Sequence, residues 1–599
     1  MPLQQRIGAR SVLDVFIESA QRHSQRTALT MVMTGQDDEQ PRRVNYRELL
    51  GLIRRSANLF HSLAGPRPGV AYMLPSLIET HVTLWGAQAA GFAVPINYLL
   101  QVQHIADLIR VSGASVLVAL GPHPQLAIWD KALEIKALLP HLQLVCVAPA
   151  STPATDAALD FHTLLMQQAD DHLVFGEAGR DDDVAAYFHT GGTTGVPKLV
   201  EHSHRNQIAA AFGGTALLHS NETHVSFNGN PLFHVAGIIL GSLSPFMAGA
   251  EVVVLSPLGF RNPVIVRRYW KLVQKYRATR IGGVPTAIGA LCDVAVDGAD
   301  LSSVQLGVCG AASIPMSVVQ RFEAHTGHPL HEALGMTETA GLTCVDPAFG
   351  DRVLGSVGFR LPYTQVVIRR LNPDGSLGGV CAPEEIGVLT VAGPTVSRGY
   401  LDPEQSKGVF VDGLLNTGDL AYASADGRIH IAGRTKDLII RSGHNIDPLM
   451  IEEAMSKHPA VTMAAAVSQP DVYAGELPVC YLSLREPGAA TQAQLHDWAQ
   501  HHIAERPAWP KHFYLVPSIP VTAVGKIFKP QLRADATERL VLRIVEESLG
   551  LNQLRVAAHE GGKRGMTVTV TLARTQANLA AKIEQALASY LFESVVVVE

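Results

Sequence analysis

Charge of either sign is scarce in this chain: 17% of its 599 residues are Asp, Glu, Lys or Arg, and the net charge is −6. No long basic run occurs. A surface that grips nucleic acid needs a clustered positive field, so no nucleic-acid partner is expected. Cysteine is also sparse. Cys146, Cys292, Cys309, Cys344, Cys381 and Cys480 are scattered, with no C-x-x-C pair and no histidines at zinc spacing. They read as reduced structural thiols, which excludes a disulfide framework or a zinc module. The opening segment, MPLQQRIGARSVLDVF, has no long apolar core, so no secretory signal is expected and a cytoplasmic location follows. Long hydrophobic runs are missing elsewhere too. The most membrane-like stretch, Val235 to Ala250, is shorter than a typical span and is broken by Pro245 and several glycines. A buried helix and strand are expected there, and no transmembrane segment.

What is present is apolar material in quantity, 47% of the residues, in a chain longer than one hydrophobic core serves. At least two domains are expected. Strand-like runs at Val70–Leu74, Ala93–Ile96, Ser115–Leu120 and Leu142–Val147 alternate with helical patterns, and the alternation returns over 225–255 and 280–310. That texture predicts an α/β fold with largely parallel sheets in stacked layers. From Leu354 to Ala432 the pattern shifts to short β runs with glycine and proline turns, a β-rich subdomain that closes the large domain (1–433). The polar segment GRTKD at 433–437 marks a boundary. A small α/β domain (434–533) follows, and then a C-terminal α/β extension (534–599) with two helical and two strand-like runs.

The chemistry concentrates first at Phe188–Leu199, FHTGGTTGVPKL, directly after the strand-like run Val184–Phe188. Glycines let successive backbone N–H groups converge on an anion, threonines add donors and a lysine adds full charge. The loop suits a triphosphate, but Leu199 follows Lys198, so it is not a Walker A loop. Taken alone it is as well explained as a polar surface turn.

Four further segments join it. LGMTE (334–338) sets a hydroxyl beside a carboxylate, and a magnesium ion next to phosphates takes one or two such oxygens. NTGDL places Asp419 on a turn, able to accept from ribose hydroxyls. Arg434 in GRTKD and Lys526 in VTAVGKIFK are cations in apolar surroundings. Singly, each has an ordinary reading as a helix start, a turn or a surface charge.

In this order and spacing, over roughly residues 10 to 533, the segments resemble the adenylate-forming (AMP-binding) superfamily, specifically its acyl-CoA synthetase branch. The resemblance implies ATP, Mg²⁺ and coenzyme A as cofactors and co-substrates. It implies that Thr190, Gly191, Gly192, Thr193, Thr194, Gly195 and Lys198 wrap the phosphates. Gly310, Ala311 and Ala312, with Leu334, Gly335 and Met336, would lie along the nucleotide. Thr337 and Glu338 would hold phosphate and metal, and Asp419 and Arg434 the ribose. Lys526 would be the catalytic lysine of a mobile small domain that turns about the hinge residue Lys436. Ser442, Gly443 and His444 would then reach the coenzyme A tunnel. Phe233 and His234 match an aromatic motif beside the acyl pocket, with His234 a wall of the catalytic site.

The chain departs from the common pattern at Gly191, where serine is usual, at Leu199, where glycine is usual, and at Leu334, where an aromatic residue usually stacks on adenine. Pocket candidates by resemblance are Val235, Ile238, Gly283, Val284, Ala340 and Gly341. They are apolar or small, with no arginine among them to pair with a second carboxylate, which favours a monocarboxylic fatty or aromatic acid. The expected activity is ATP-dependent acid–thiol ligation through an acyl-AMP. An acyl-AMP ligase serving a carrier protein is the alternative, and a non-catalytic nucleotide-binding relative a third reading. A homo-oligomer is compatible with the sequence. The extension beyond 533 has no assigned role.

Overall fold

The computed structural model describes residues 1–148, 158–190, 198–372, 375–411, 413–551, 554–561 and 565–599. Among these residues the strands form five sheets. One is seven-stranded and built on parallel pairs of Gln143–Val147, Val116–Leu120, Gly69–Met73, Phe92–Pro95 and Val184–His189. Its last pair turns antiparallel, Val184–His189 against Leu199–Ser203, so the glycine-rich loop joins two neighbouring strands. The nine-stranded sheet holds Leu330–Leu334, Leu306–Gly310, Arg280–Gly283, Val225–Asn228, Glu251–Leu255 and Thr27–Val32 side by side in parallel.

The two large sheets share one continuous core. The helix Ile78–Ala90 explains how: all thirteen of its residues are buried. A helix apolar around most of its circumference belongs between layers rather than on a surface. Trp85 on it packs on Phe16, with ring centroids 5.4 Å apart. The membrane-like stretch resolves as expected into buried structure. It forms a π-helix, Ala236–Leu243, a short α-helix, Ser244–Met247, and the strand Glu251–Leu255. No helix among the described residues is long and apolar enough to cross a membrane. Five of the cysteines are buried, and all six are free thiols.

The β-rich region forms an antiparallel sheet in which Leu414–Ala423 pairs with both Gly387–Ala392 and Ile429–Arg434. The small domain carries its own sheet, built on the long hairpin Val461–Asp471 and Gly475–Leu484. The boundary expected at 533 falls inside a single helix, Lys529–Leu549. Its first half packs on the small domain through Leu532 and Ala536, and its second half enters the tail's core through Leu540, Val541 and Val545. Arg533 ties the parts together, with Nη1 2.9 Å from Asp437 and Nε 2.5 Å from Glu560. The tail sheet also contains a strand absent from the sequence reading, Arg555–Glu560, beside Met566–Leu572 and Glu593–Val598.

Candidate active site

Parallel strands deliver their loops to one end of a sheet, and that is where the singled-out residues gather. Gly310 ends one strand and Leu334 the next. Both neighbouring glycines are dictated by space. A Cβ on Gly310 would lie 2.5 Å from the Ala333 carbonyl oxygen, and one on Gly335 would lie 2.0 Å from that of Gly341. Ala311 sits at φ 76°, a left-handed conformation that an alanine adopts only when its surroundings hold it.

Glu338 is fixed from three sides. The Tyr400 hydroxyl donates to its Oε1 at 2.6 Å, the Ser397 N–H donates to its backbone oxygen at 2.9 Å, and the ring Nε2 of His202 lies 2.6 Å from the Thr337 carbonyl oxygen. The segment bearing Ser397 and Tyr400 is itself anchored. Asn206, capped by Ser203 at the head of the helix His204–Leu217, donates to the Pro394 and Val396 carbonyls at 2.9 Å each. Lys198 holds its ammonium 5.5 Å above the Tyr400 ring. The Thr190 N–H donates to the Lys198 carbonyl at 3.0 Å, closing the base of the glycine-rich loop. Gly191, Gly192, Thr193, Thr194 and Gly195 lie outside the described residues.

Asp419 and Arg434 occupy facing positions on adjacent antiparallel strands, joined at 2.7 Å between Oδ1 and Nε. Asp419 is buried and Arg434 largely exposed, so the pair presents a guanidinium to solvent over an inward carboxylate. Burial raises the Asp419 carboxyl above the usual range, opposed by Arg434 and by Lys526. Lys526 arrives from the small domain. Its loop is a tight turn in which the Thr522 N–H donates to the Lys526 carbonyl at 2.7 Å, and Thr286 Oγ1 of the large domain donates to the Gly525 carbonyl at 2.7 Å. Burial and Arg434 push the Lys526 ammonium below its ordinary value, while Asp419 and Glu338 pull it back. His234 is neutral at physiological pH: burial, with Lys526 and His189 nearby, lowers it to about 3.

One cavity of about 2310 Å³ connects these groups. It takes in Thr190, Lys198, Gly310 to Ala312, Leu334 to Glu338, Asp419, Arg434, Lys436, Lys526, His234, Val235, Gly283, Val284 and Gly341. Ile238 and Ala340 are not on it. Both are fully buried, because the inward side of the π-helix and the turn after Thr339 face the core. Ser442, Gly443 and His444 are also off the cavity, on an exposed hairpin where His444 pairs with Glu505 at 2.9 Å. Several residues of the site went unrecognised in the sequence. Tyr400, Ser397, His202 and Thr286 lie far along the chain from the groups they hold, and no local spacing connects them. Glu332, lining the same cavity, has its carboxyl raised to about 7 by burial and by Asp346.

A large domain with a deep cavity and a small domain that inserts a lysine into it is one arrangement among known enzymes, and comparison decides it. The AMP-binding enzyme family model matches residues 16–401, and that of the AMP-binding enzyme C-terminal domain matches 450–526. This chain belongs to the AMP-binding enzymes. Within them it falls in the acyl-CoA synthetase branch, a group of ATP-dependent ligases. It is 34% identical over 592 residues to the marinolic acid–CoA ligase of Pseudoalteromonas sp. (strain SANK 73390), covering 98% of this chain and 90% of that protein. That coverage extends into the tail. It is 30% identical over 495 residues to the long-chain-fatty-acid–CoA ligase of Bacillus subtilis (strain 168), covering 78% and 86%. The fold is similar to that of an anthranilate CoA ligase solved with anthranoyl-AMP. The TM-score is 0.78 and the identity 22%, over 90% of this chain and 99% of that one. The AMP-binding acyl-CoA synthetase accordingly joins an acid to coenzyme A with release of AMP.

Proposed function

We propose that this synthetase activates a fatty or aromatic acid in the cavity beside His234, with Lys526 as the group that makes adenylation possible. The observation that carries the reading is that Lys526 from the small domain enters the same cavity as Asp419, Arg434 and Glu338, close enough for each to act on its charge. A carboxylate approaching the α-phosphate of ATP meets negative charge, and an ammonium aimed at both oxygens offsets it in a site of low dielectric. Delivery of that ammonium by a separate domain couples closure to chemistry and shields the mixed anhydride from water.

Each neighbour has a part. Asp419 and Arg434 hold the ribose, Gly310 to Ala312 and the Leu334–Met336 turn flank the base, and Lys198 and Thr190 frame the phosphates. Glu338 fits a magnesium ion: it is a half-buried carboxylate with one oxygen committed to Tyr400, and the bound ion would neutralise phosphate charge. His234, held neutral, serves as a pocket wall rather than a proton carrier.

Thioester formation calls for a second arrangement. With Lys526 seated in the site, the hairpin of Ser442, Gly443 and His444 does not line the cavity. Rotation about Lys436 would withdraw the lysine and bring that hairpin to the thiol's path. The test is direct: purified enzyme with ATP, Mg²⁺, CoA and a graded set of fatty and aromatic acids should release AMP and yield acyl-CoA by mass spectrometry. AMP release without thioester would point instead to a carrier protein as acceptor. No acid-dependent AMP release would overturn the reading.

A further inference from the structure

The acyl region does not end in an apolar wall. Beyond Gly283 and Val284 the same cavity continues down the sheet face to Arg280, Ser226 and Ser220. Register fixes the geometry. Arg280 stands beside Ser226 on one side and Leu306 on the other, and Gly282 stands beside Val308. Residues paired across neighbouring strands share a face, so Arg280, Gly282 and Val308 line one wall. Gly282 packs its bare backbone against the neighbouring strand, where a Cβ would lie 2.2 Å from the Val308 carbonyl oxygen. Gly241, on the π-helix, also lines the cavity. Arg280 is three residues down the strand from Gly283, roughly 10 Å.

The guanidinium at this depth has no counter-charge. Among the described residues its partner is the imidazole of His224, with Nε 3.4 Å from Nδ1 and Nη2 3.3 Å from Nε2. That ring is buried, and burial together with Arg280 lowers it to about 4, so it is neutral. Burial alone acts on Arg280 and lowers it to about 10, with no carboxylate raising it. A guanidinium withdrawn from water is costly unless something accepts its hydrogen bonds, and its fork matches a pair of acceptor oxygens best. Ser220 and Ser226 at the same end add hydroxyls. A cation of this kind serves no purpose against a methyl-ended chain.

We propose that Arg280 is a specificity residue at the far end of the acyl pocket, and that the substrate is an acid whose distal end carries acceptor oxygens. This rests on the acid-activating reading above and narrows its substrate class. A terminal hydroxyl and a terminal carboxylate share that chemistry, and the carboxylate pairs with the fork more strongly.

The test compares three acid series of 8, 10 and 12 carbons, ended by a methyl, a hydroxyl or a second carboxylate (on the order of 10 Å of pocket to fill). AMP release in the presence of CoA is measured for the wild type, Arg280→Met and Arg280→Lys. In the wild type at the best length, kcat/KM for an oxygen-ended acid should exceed that for the methyl-ended acid by about tenfold or more. Arg280→Met should erase that ratio, mainly through KM for the oxygen-ended acid, and should improve the methyl-ended one. Arg280→Lys should retain part of the preference, which separates lost charge from lost folding. Whichever oxygen-ended series shows the larger ratio identifies the end group. A wild-type preference for methyl-ended acids, or a ratio that Arg280→Met leaves in place, would overturn the proposal while sparing acid activation. Absence of AMP release with all three series and with aromatic acids as well would overturn both.

Discussion

Tyr400 donates its hydroxyl hydrogen to Oε1 of Glu338 across 2.6 Å, joining the loop after the strand Gly387–Ala392 of the β-rich region to the turn that bears Thr337 and Glu338. The same ring lies under the Lys198 ammonium at 5.5 Å. One side chain therefore sets both a carboxylate that suits magnesium and a lysine at the base of the glycine-rich loop.

Removing that hydroxyl should disturb the metal side first. A hydrogen bond to a charged group is worth about 1.5–3 kcal/mol, so Tyr400→Phe should lower kcat/KM for adenylation by about 10- to 100-fold. The loss should appear as a raised Mg²⁺ requirement in acid-dependent exchange of pyrophosphate into ATP. An unaltered Mg²⁺ titration would show that Glu338 needs no such support.

Asp419 should govern how far into alkaline pH the enzyme works. Lys526 must be protonated, and burial with Arg434 already holds it below the ordinary lysine value. Its charge, and adenylation with it, is lost as pH rises through that lowered value. Asp419→Asn removes a carboxylate that pulls the lysine back up, so the alkaline limb should move to lower pH. A pH–rate profile of the first half-reaction reads this, and a limb that stays in place would contradict it.

Acid should unfold the large domain through its buried histidines. His81 has both ring nitrogens without a hydrogen-bond partner, and burial lowers it to about 3. Between roughly pH 6.5 and that value the unfolded chain binds a proton the folded chain refuses, so stability falls as pH falls. One such group contributes at most about 1.4 kcal/mol per pH unit. His81→Leu should flatten the fall of the thermal midpoint between pH 6.5 and 4, and an unchanged slope would exclude His81 as a source.

Much of this was legible in the residues themselves. Alternating apolar runs placed the parallel strands, because a strand buried on both faces needs little else. The strand-like run and glycine-rich loop at 184–199, with the order of Glu338, Asp419, Arg434 and Lys526, pointed to the family. What escaped notice depends on pairings distant in sequence. Tyr400 meets Glu338 across 62 residues. Arg280 was not singled out in the sequence, and its register with Ser226 and its place on the cavity wall emerge only in the fold. Ile238 and Ala340 were pocket candidates by resemblance, and both lie fully buried off the cavity. The helix Lys529–Leu549 carried no signal of where one domain yields to the next, since a helix can serve two cores without a break.

The central claim is that Lys526 makes the acyl-AMP. Acid-dependent exchange of pyrophosphate into ATP should be abolished in Lys526→Ala, while the variant still forms thioester from supplied acyl-AMP and CoA. Exchange at the wild-type rate in Lys526→Ala would contradict the account.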